Sequence, residues 1–260
     1  MRPEPAEIRR RGSARGVAKG SLRAVDPMGE RAVDLERQLV VVIPAYQAED
    51  TIGDVVHRTL AVLPRVLVVD DGSTDGTSQV VEQIEGAELL RLDHNRGKGA
   101  ALRHGFRRAF QDPKVTAVIT LDADGQHRPE EIPRLLEKAG DADLVLGGRD
   151  HLFRGMYWLR RLANCGSSRG ISWMAGIPLG DVQTGFRLYR RELVEQLPMT
   201  EDRFEAESAI VVRAARSGFR ITSTPIQLGE VDGRSTSHYR PMADSLRIAL
   251  AVIAARLLGR

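Results

Sequence analysis

Cysteine is nearly absent: Cys165 stands alone among 260 residues. No intramolecular disulfide can form, and a reducing compartment is the expectation. The plainest role for Cys165 is that of a small buried hydrophobe. Long apolar runs are missing too, none approaching the roughly 20 residues of a membrane-spanning helix. The N-terminal arginines are not followed by the apolar stretch of a secretory signal. These absences predict a cytoplasmic protein. Aromatic residues are scarce, with two Trp and four Tyr, which argues against a platform that stacks nucleic-acid bases. Charge of one sign is barely in excess, at +3. The basic residues are mostly arginine and locally clustered, which suits phosphate-bearing ligands or an anionic surface without nucleic acid.

What is present is strongly patterned from Leu39 onward. Residues 1–37 are rich in Arg, Gly, Ala and Pro without hydrophobic periodicity, and read as a disordered Arg-rich tail. Leu39–Ile43 is a buried-strand run stopped by Pro44. A helix is expected over Asp50–Leu63, a strand over Arg65–Val69, another over Ala87–Leu92, a helix over Gly99–Phe110 and a strand over Val115–Leu121. A helix opened by Pro129 and a strand over Asp143–Leu146 follow. Apolar strands alternating with helices predict an α/β fold, a mostly parallel sheet with helices on both faces. Beyond it, helical patterns cover Gly155–Ala175 and Phe204–Ser217, and Phe219–Leu228 is strand-like. The last segment, Pro241–Arg260, reads as an amphipathic helix that packs on the domain or lies at a membrane interface.

The chemistry concentrates at strand ends. Asp122 and Asp124 follow a strand and point the same way in extended chain. They sit where an open α/β sheet places its ligand crevice. Such a carboxylate pair suits Mg²⁺ or Mn²⁺, hard cations that share oxygen ligands with substrate phosphates; Gln126 adds a neutral oxygen. A solvated Asp-rich turn is the plain alternative. Asp71 can accept hydrogen bonds from a base or ribose, or cap the next helix. Pro44 and Tyr46 can approach a nucleotide base. Asn95-Arg96-Gly97-Lys98-Gly99 opens a helix, where backbone N–H groups and Lys98 suit a diphosphate.

Taken together, Val41-Val42-Ile43-Pro44-Ala45-Tyr46, Val68-Val69-Asp70-Asp71-Gly72-Ser73-Thr74-Asp75-Gly76-Thr77, Asn95–Gly99 and Asp122-Ala123-Asp124 resemble the family 2 glycosyltransferases in order and spacing. Asp122–His127, Leu146–Arg149, Gln183–Arg187 and Phe204–Glu207 are similar to motifs of the dolichol-phosphate mannose synthase and polyprenyl-phosphate sugar transferase branch. The resemblance implies a single GT-A (nucleotide-diphospho-sugar transferase) domain over residues 38–240, with the helix of 241–260 outside it. It implies a metal held by Asp122, Asp124 and Gln126, and a nucleotide-sugar donor near Pro44, Tyr46, Glu49 and Asp71. It also implies an inverting sugar transfer to a lipid phosphate, with peripheral contact at the inner face of the membrane.

For the acceptor phosphate, Arg149, Arg160 or Arg161, Arg187 and Arg234 are the candidates. A hydroxyl acceptor would instead require a carboxylate base, for which Asp181, Glu205 and Glu207 are available. Where that branch carries Arg-X-X-Gly-X-Ser-Lys, this chain has Gly233–Arg240 without a lysine, with His238 or Arg240 nearby. The remaining rival is a non-catalytic protein that binds nucleotide sugars. A nucleotidyltransferase would carry a Gly-rich loop where Pro44-Ala45-Tyr46 stands. An aspartyl-phosphate phosphatase would carry Thr after Asp-X-Asp-Gly.

Overall fold

β-Branched and leucine-rich runs become the centre of a seven-stranded sheet with the order β3-β2-β1-β4-β6-β5-β7. It is seen in a computed structural model that describes residues 38–148, 171–176, 182, 184–197, 199–229 and 241–258. The strands are β1 (Leu39–Ala45), β2 (Val66–Asp70), β3 (Ala87–Arg91), β4 (Ala117–Thr120), β5 (Leu144–Gly148), β6 (Arg187–Arg190) and β7 (Ile221–Pro225). β1 pairs in parallel with β2 and β4, β2 with β3, and β5 with β7. β6 runs antiparallel between β4 and β5. The parallel α/β expectation therefore holds, with one reversed strand added.

The helices in chain order are α1 (Glu49–Leu60), α2 (Thr77–Glu82), α3 (Lys98–Ala109), α4 (Ile132–Lys138), α5 (Arg191–Gln196), α6 (Glu205–Arg216) and α7 (Pro241–Leu258). Residues 171–175 are also helical. Because successive strand residues face opposite ways, the buried runs feed two cores. Val40, Val42, Leu67, Val69 and Val118 pack with Leu102 and Phe106 of α3, Ala209 and Ile210 of α6, and Ile248 and Val252 of α7. Leu39, Val41, Ile43, Val66, Val68 and Ile119 meet Ile52, Val55 and Val56 of α1, and Ile132 and Leu135 of α4. Burial at about 25 cal/mol per Å² of apolar surface on both faces is what holds the strand ends rigid. At Gly105 a side chain would strike Val42, so α3 lies directly on β1.

The final helix packs on this domain, with Ile248, Val252 and Ala255 buried. No helix among the described residues is long and apolar enough to cross a membrane. From β1 the chain runs outward to β2 and β3, and β4 then returns to the other side of β1. The loops after β1 and β4 diverge at that reversal of strand order, which opens a crevice at the carboxyl edge of the sheet.

Candidate functional site

That crevice is a cavity of about 510 Å³ lined by residues from the ends of β1, β2 and β4, among them Pro44, Tyr46, Asp71, Asp122 and Asp124. The first wall is a stitched pair of loops. Gln47 has a positive φ of 53°, uncommon for a residue with a side chain. Its conformation is secured because its backbone N–H donates to Ser73 Oγ at 3.0 Å and its amide oxygen accepts from Thr74 N at 2.8 Å. Ala48 N donates to Thr77 Oγ1 at 2.8 Å, and Thr51 Oγ1 to the Ala123 carbonyl at 2.7 Å. The β1 and β2 loops thereby fix the turn that carries Asp122 and Asp124.

Asp71 lines the cleft and also accepts from the backbone N–H groups of Arg96 at 2.8 Å and Gly97 at 2.7 Å. Burial pushes its carboxyl pKa up, opposed by those two N–H donors. One oxygen pair thus ties the end of β2 to the loop that starts α3. Gly72, with φ of 73°, lets that loop approach: a Cβ there would sit 2.5 Å from His94 Cα.

Beyond β4, the Asp124 carboxylate accepts from Gln126 N at 3.0 Å, closing a tight turn. Asp122 is ion-paired: Lys98 Nζ lies 2.6 Å from its Oδ1 and 2.8 Å from Glu207 Oε2. His127 Nδ1 is 3.5 Å from Asp122 Oδ2, and its ring stands 5.6 Å from that of Phe186. Burial would lower the Lys98 ammonium pKa, but the two carboxylates prevail and hold it above its ordinary value. Lys98 is thus a permanent cation bracing two anions. At Gly185 a Cβ would strike the Asp122 carboxylate, so the absence of a side chain there gives the acid its space.

Several expected site residues prove to be placed differently. Glu49 does not line the cleft; its Oε2 accepts from Gly76 N at 2.9 Å, stapling the β2 loop. Gln126 also lies outside the lining, and its backbone carbonyl accepts from Gly229 N. Arg187, expected at the acceptor phosphate, is fully buried. It donates to the carbonyls of Thr184 at 2.7 Å, Glu207 at 2.5 Å and Val182 at 2.8 Å. Its guanidinium fastens the loop before β6 to α6 and faces away from solvent. Glu207, expected as a possible base, is 5% exposed and is the second anion on Lys98. Glu205 is likewise absent from the lining. Arg149, Arg160, Arg161, Asp181, Arg234, His238, Arg240 and Cys165 lie outside the described residues.

Of the cleft residues Arg203, Phe204 and Arg247, the sequence reading held only Phe204, as the start of a motif with no role assigned to it. The first two stand in the segment before α6, and Arg247 is on α7. Nothing in the local pattern marks Arg203 or Arg247, since the cleft reaches them only through the packing of α6 and α7 on α3 and the sheet.

The polyprenol monophosphomannose synthase of Mycolicibacterium smegmatis is 29% identical over 212 residues, covering 75% of this chain and 78% of that protein. The undecaprenyl-phosphate 4-deoxy-4-formamido-L-arabinose transferase of Aeromonas hydrophila is 33% identical over 174 residues, 63% of this chain and 52% of that one, so the match spans about half of it. Among solved structures, glucosyl-3-phosphoglycerate synthase from Mycobacterium tuberculosis, in complex with Mn²⁺, uridine-diphosphate-glucose and phosphoglyceric acid, superposes with a TM-score of 0.67 at 19% identity. That alignment covers 85% of this chain and 82% of the other and shows the shared fold. The model of glycosyl transferase family 2 matches residues 40–198, more than half of the chain. With the GT-A architecture of its sheet, this chain belongs to the family 2 glycosyltransferases.

Proposed function

We propose that this glycosyltransferase moves a sugar from a nucleotide-diphospho-sugar to a polyprenyl phosphate, with inversion, using Mg²⁺ or Mn²⁺. The observation that carries the reading is the convergence of Asp122 and Asp124 on the cleft at the reversal of strand order. The names of the two curated relatives support the lipid phosphate. The ligands of the M. tuberculosis structure are consistent with a metal and a uridine-diphosphate sugar.

The residues present fit a divalent cation. Asp122 and Asp124 are hard oxygen donors, partly exposed on one cleft wall, with room for diphosphate oxygens to complete the shell. Bound there, the cation supplies charge neutralisation for the leaving nucleoside diphosphate. The chain itself orients the parts. Asp71 fixes the Asn95–Gly97 loop, Lys98 fixes Asp122, and Thr51 fixes Ala123. The donor then lies against rigid groups that need no rearrangement as charge develops.

The state of the cleft carboxylates supports a phosphate acceptor. A phosphate monoester has a second pKa near 6 and is largely dianionic at neutral pH, so its attack requires no general base. Among the described residues, the cleft carboxylates are Asp71, Asp122 and Asp124. Asp71 is held by two N–H groups, Asp122 by Lys98, and Asp124 by Gln126 N. Arg149, Arg160, Arg161 and Arg234 remain the candidates for gripping the acceptor phosphate. A lipid tail has an apolar surface to follow: Leu250, Ile253 and Leu257 are exposed along α7 beyond Arg247, and Trp173 is 72% exposed.

The test is a screen of nucleotide sugars with Mg²⁺ or Mn²⁺, offering short-chain polyprenyl phosphate and polyprenol in parallel, with products identified by mass spectrometry. Glycosyl phospholipid from the phosphate alone is the expected result. A product from the polyprenol and none from the phosphate would replace the proposed acceptor by a hydroxyl.

A further inference from the structure

The loop that opens α3 was expected to place Lys98 on the donor diphosphate, yet that ammonium is already shared by two carboxylates at 2.6 and 2.8 Å. One positive charge against two negative ones leaves little for a ligand. A different cation reaches the cleft. Arg203 lines it and is exposed, and its side chain forms no hydrogen bond or ion pair with the described residues, its charge favouring the ionised form of the Asp71 carboxylate.

Its position is built. The Arg203 stem crosses α3 where Gly97 has no side chain: a Cβ there would lie 2.8 Å from Arg203 Cγ and 2.5 Å from the Asp202 carbonyl. The backbone on either side is pinned. The Asp202 carbonyl accepts from Ala100 N at 3.0 Å. Arg103 donates to the Glu201 carbonyl at 2.8 Å and to Asp202 Oδ1 at 2.5 Å. Arg213 holds Glu201 with two hydrogen bonds of 2.8 and 2.7 Å. A guanidinium on so fixed a base loses less freedom on binding than one on an unanchored loop would. Its planar fork is matched to phosphate oxygens.

We propose that Arg203 is a donor-binding residue that contacts the diphosphate of the nucleotide sugar, supplying the charge that Lys98 spends on Asp122 and Glu207. The inference rests on the reading of the cleft as a nucleotide-sugar site. It adds to that reading a phosphate contact from the segment before α6, outside residues 40–198 matched by the family model.

The experiment measures binding to the whole chain in Mg²⁺. UDP and GDP are titrated calorimetrically, and uridine and guanosine are followed by ligand-observed NMR. Wild type, Arg203→Gln and Arg203→Lys are compared, with melting temperatures checking the fold. Arg203→Gln should weaken the nucleoside diphosphate roughly ten- to hundredfold, the loss of one charge-assisted contact. It should leave the parent nucleoside within about twofold, with Arg203→Lys falling between Arg203→Gln and wild type. Diphosphate affinity unchanged in Arg203→Gln, or an equal loss for nucleoside and diphosphate, would overturn the assignment. Wild-type protein that binds no nucleoside diphosphate would instead remove the nucleotide-sugar reading and this contact with it.

Discussion

Lys98 shows how little of a side chain's role its motif reveals. The sequence places it at a helix start, where a phosphate contact is the natural expectation, but the fold brings Glu207 from α6 and Asp122 from the end of β4 onto it. Replacing Lys98 by Met leaves two neighbouring carboxylates without the cation between them. Breaking such a buried pair costs about 3–5 kcal/mol, and partial exposure of Asp122 puts this case near the lower value. For a domain of this size that corresponds to a melting temperature lowered by roughly 6–12 °C. Thermal unfolding of Lys98→Met within 2 °C of wild type would show that the bridge does not matter for stability. Arg187 teaches the same lesson. Its Gln183–Arg187 motif was legible, yet its task as a buried donor to three carbonyls was not. Arg187→Met should destabilise by about 3 kcal/mol or more, since carbonyls that lose a donor in the interior remain desolvated. Urea unfolding measures it, and a loss below 1 kcal/mol would contradict the structural role.

At the scale of elements, the strands that became β1, β2, β4 and β5 were readable because continuous apolar runs are what a two-faced buried sheet demands. β6 was not. Arg187-Leu188-Tyr189-Arg190 is four residues long and bounded by arginines, with neither the length nor the apolar continuity of a buried strand. It inserts antiparallel because Leu188 and Tyr189 serve opposite cores and Arg187 finds internal acceptors. The segment before α6 was legible only through the Phe204–Glu207 motif, with no sign that Arg203 and Phe204 reach the cleft. Its anchorage predicts a pH dependence. Burial would raise the Glu201 pKa, but Arg213 overrides that and holds it below the ordinary value near 4.5. A carboxylate depressed in the folded state contributes stability that is present above its unfolded pKa and lost as pH falls through the folded value. Glu201→Gln should therefore lower the melting temperature above about pH 5, with the difference from wild type shrinking on acidification. A gap that grows toward low pH would have the wrong sign. Gly97→Ala should be worse still for the donor site, because φ of 100° and contact with Asp202 and Arg203 both exclude a Cβ. Donor binding weakened by at least tenfold, measured calorimetrically, is expected.

For the whole molecule, the decisive feature is the arrangement of loops at one sheet edge. Asp71, Asp122 and Asp124 were recognisable because they stand just past the ends of apolar strands, and the topology gathers such positions at a crevice. Glu49 was not distinguishable from a cleft residue, since a loop staple and a ligand use the same polar side chains. Arg247 depends on α7 folding back onto α6, which no local pattern encodes. In the proposed reaction Asp122 and Asp124 act on a metal-bound donor. The most direct measurement is the rate of nucleoside diphosphate release from the donor identified by the screen, with polyprenyl phosphate and saturating Mg²⁺, for wild type and Asp124→Asn. The variant keeps the size of the side chain and removes its charge, and should lose several kcal/mol of transition-state stabilisation, about 10²- to 10⁴-fold in rate, at an unchanged melting temperature. Chelation of the metal should abolish wild-type release and be reversed by adding Mg²⁺ or Mn²⁺. Release by Asp124→Asn within a few-fold of wild type, or full activity in the presence of chelator, would contradict it.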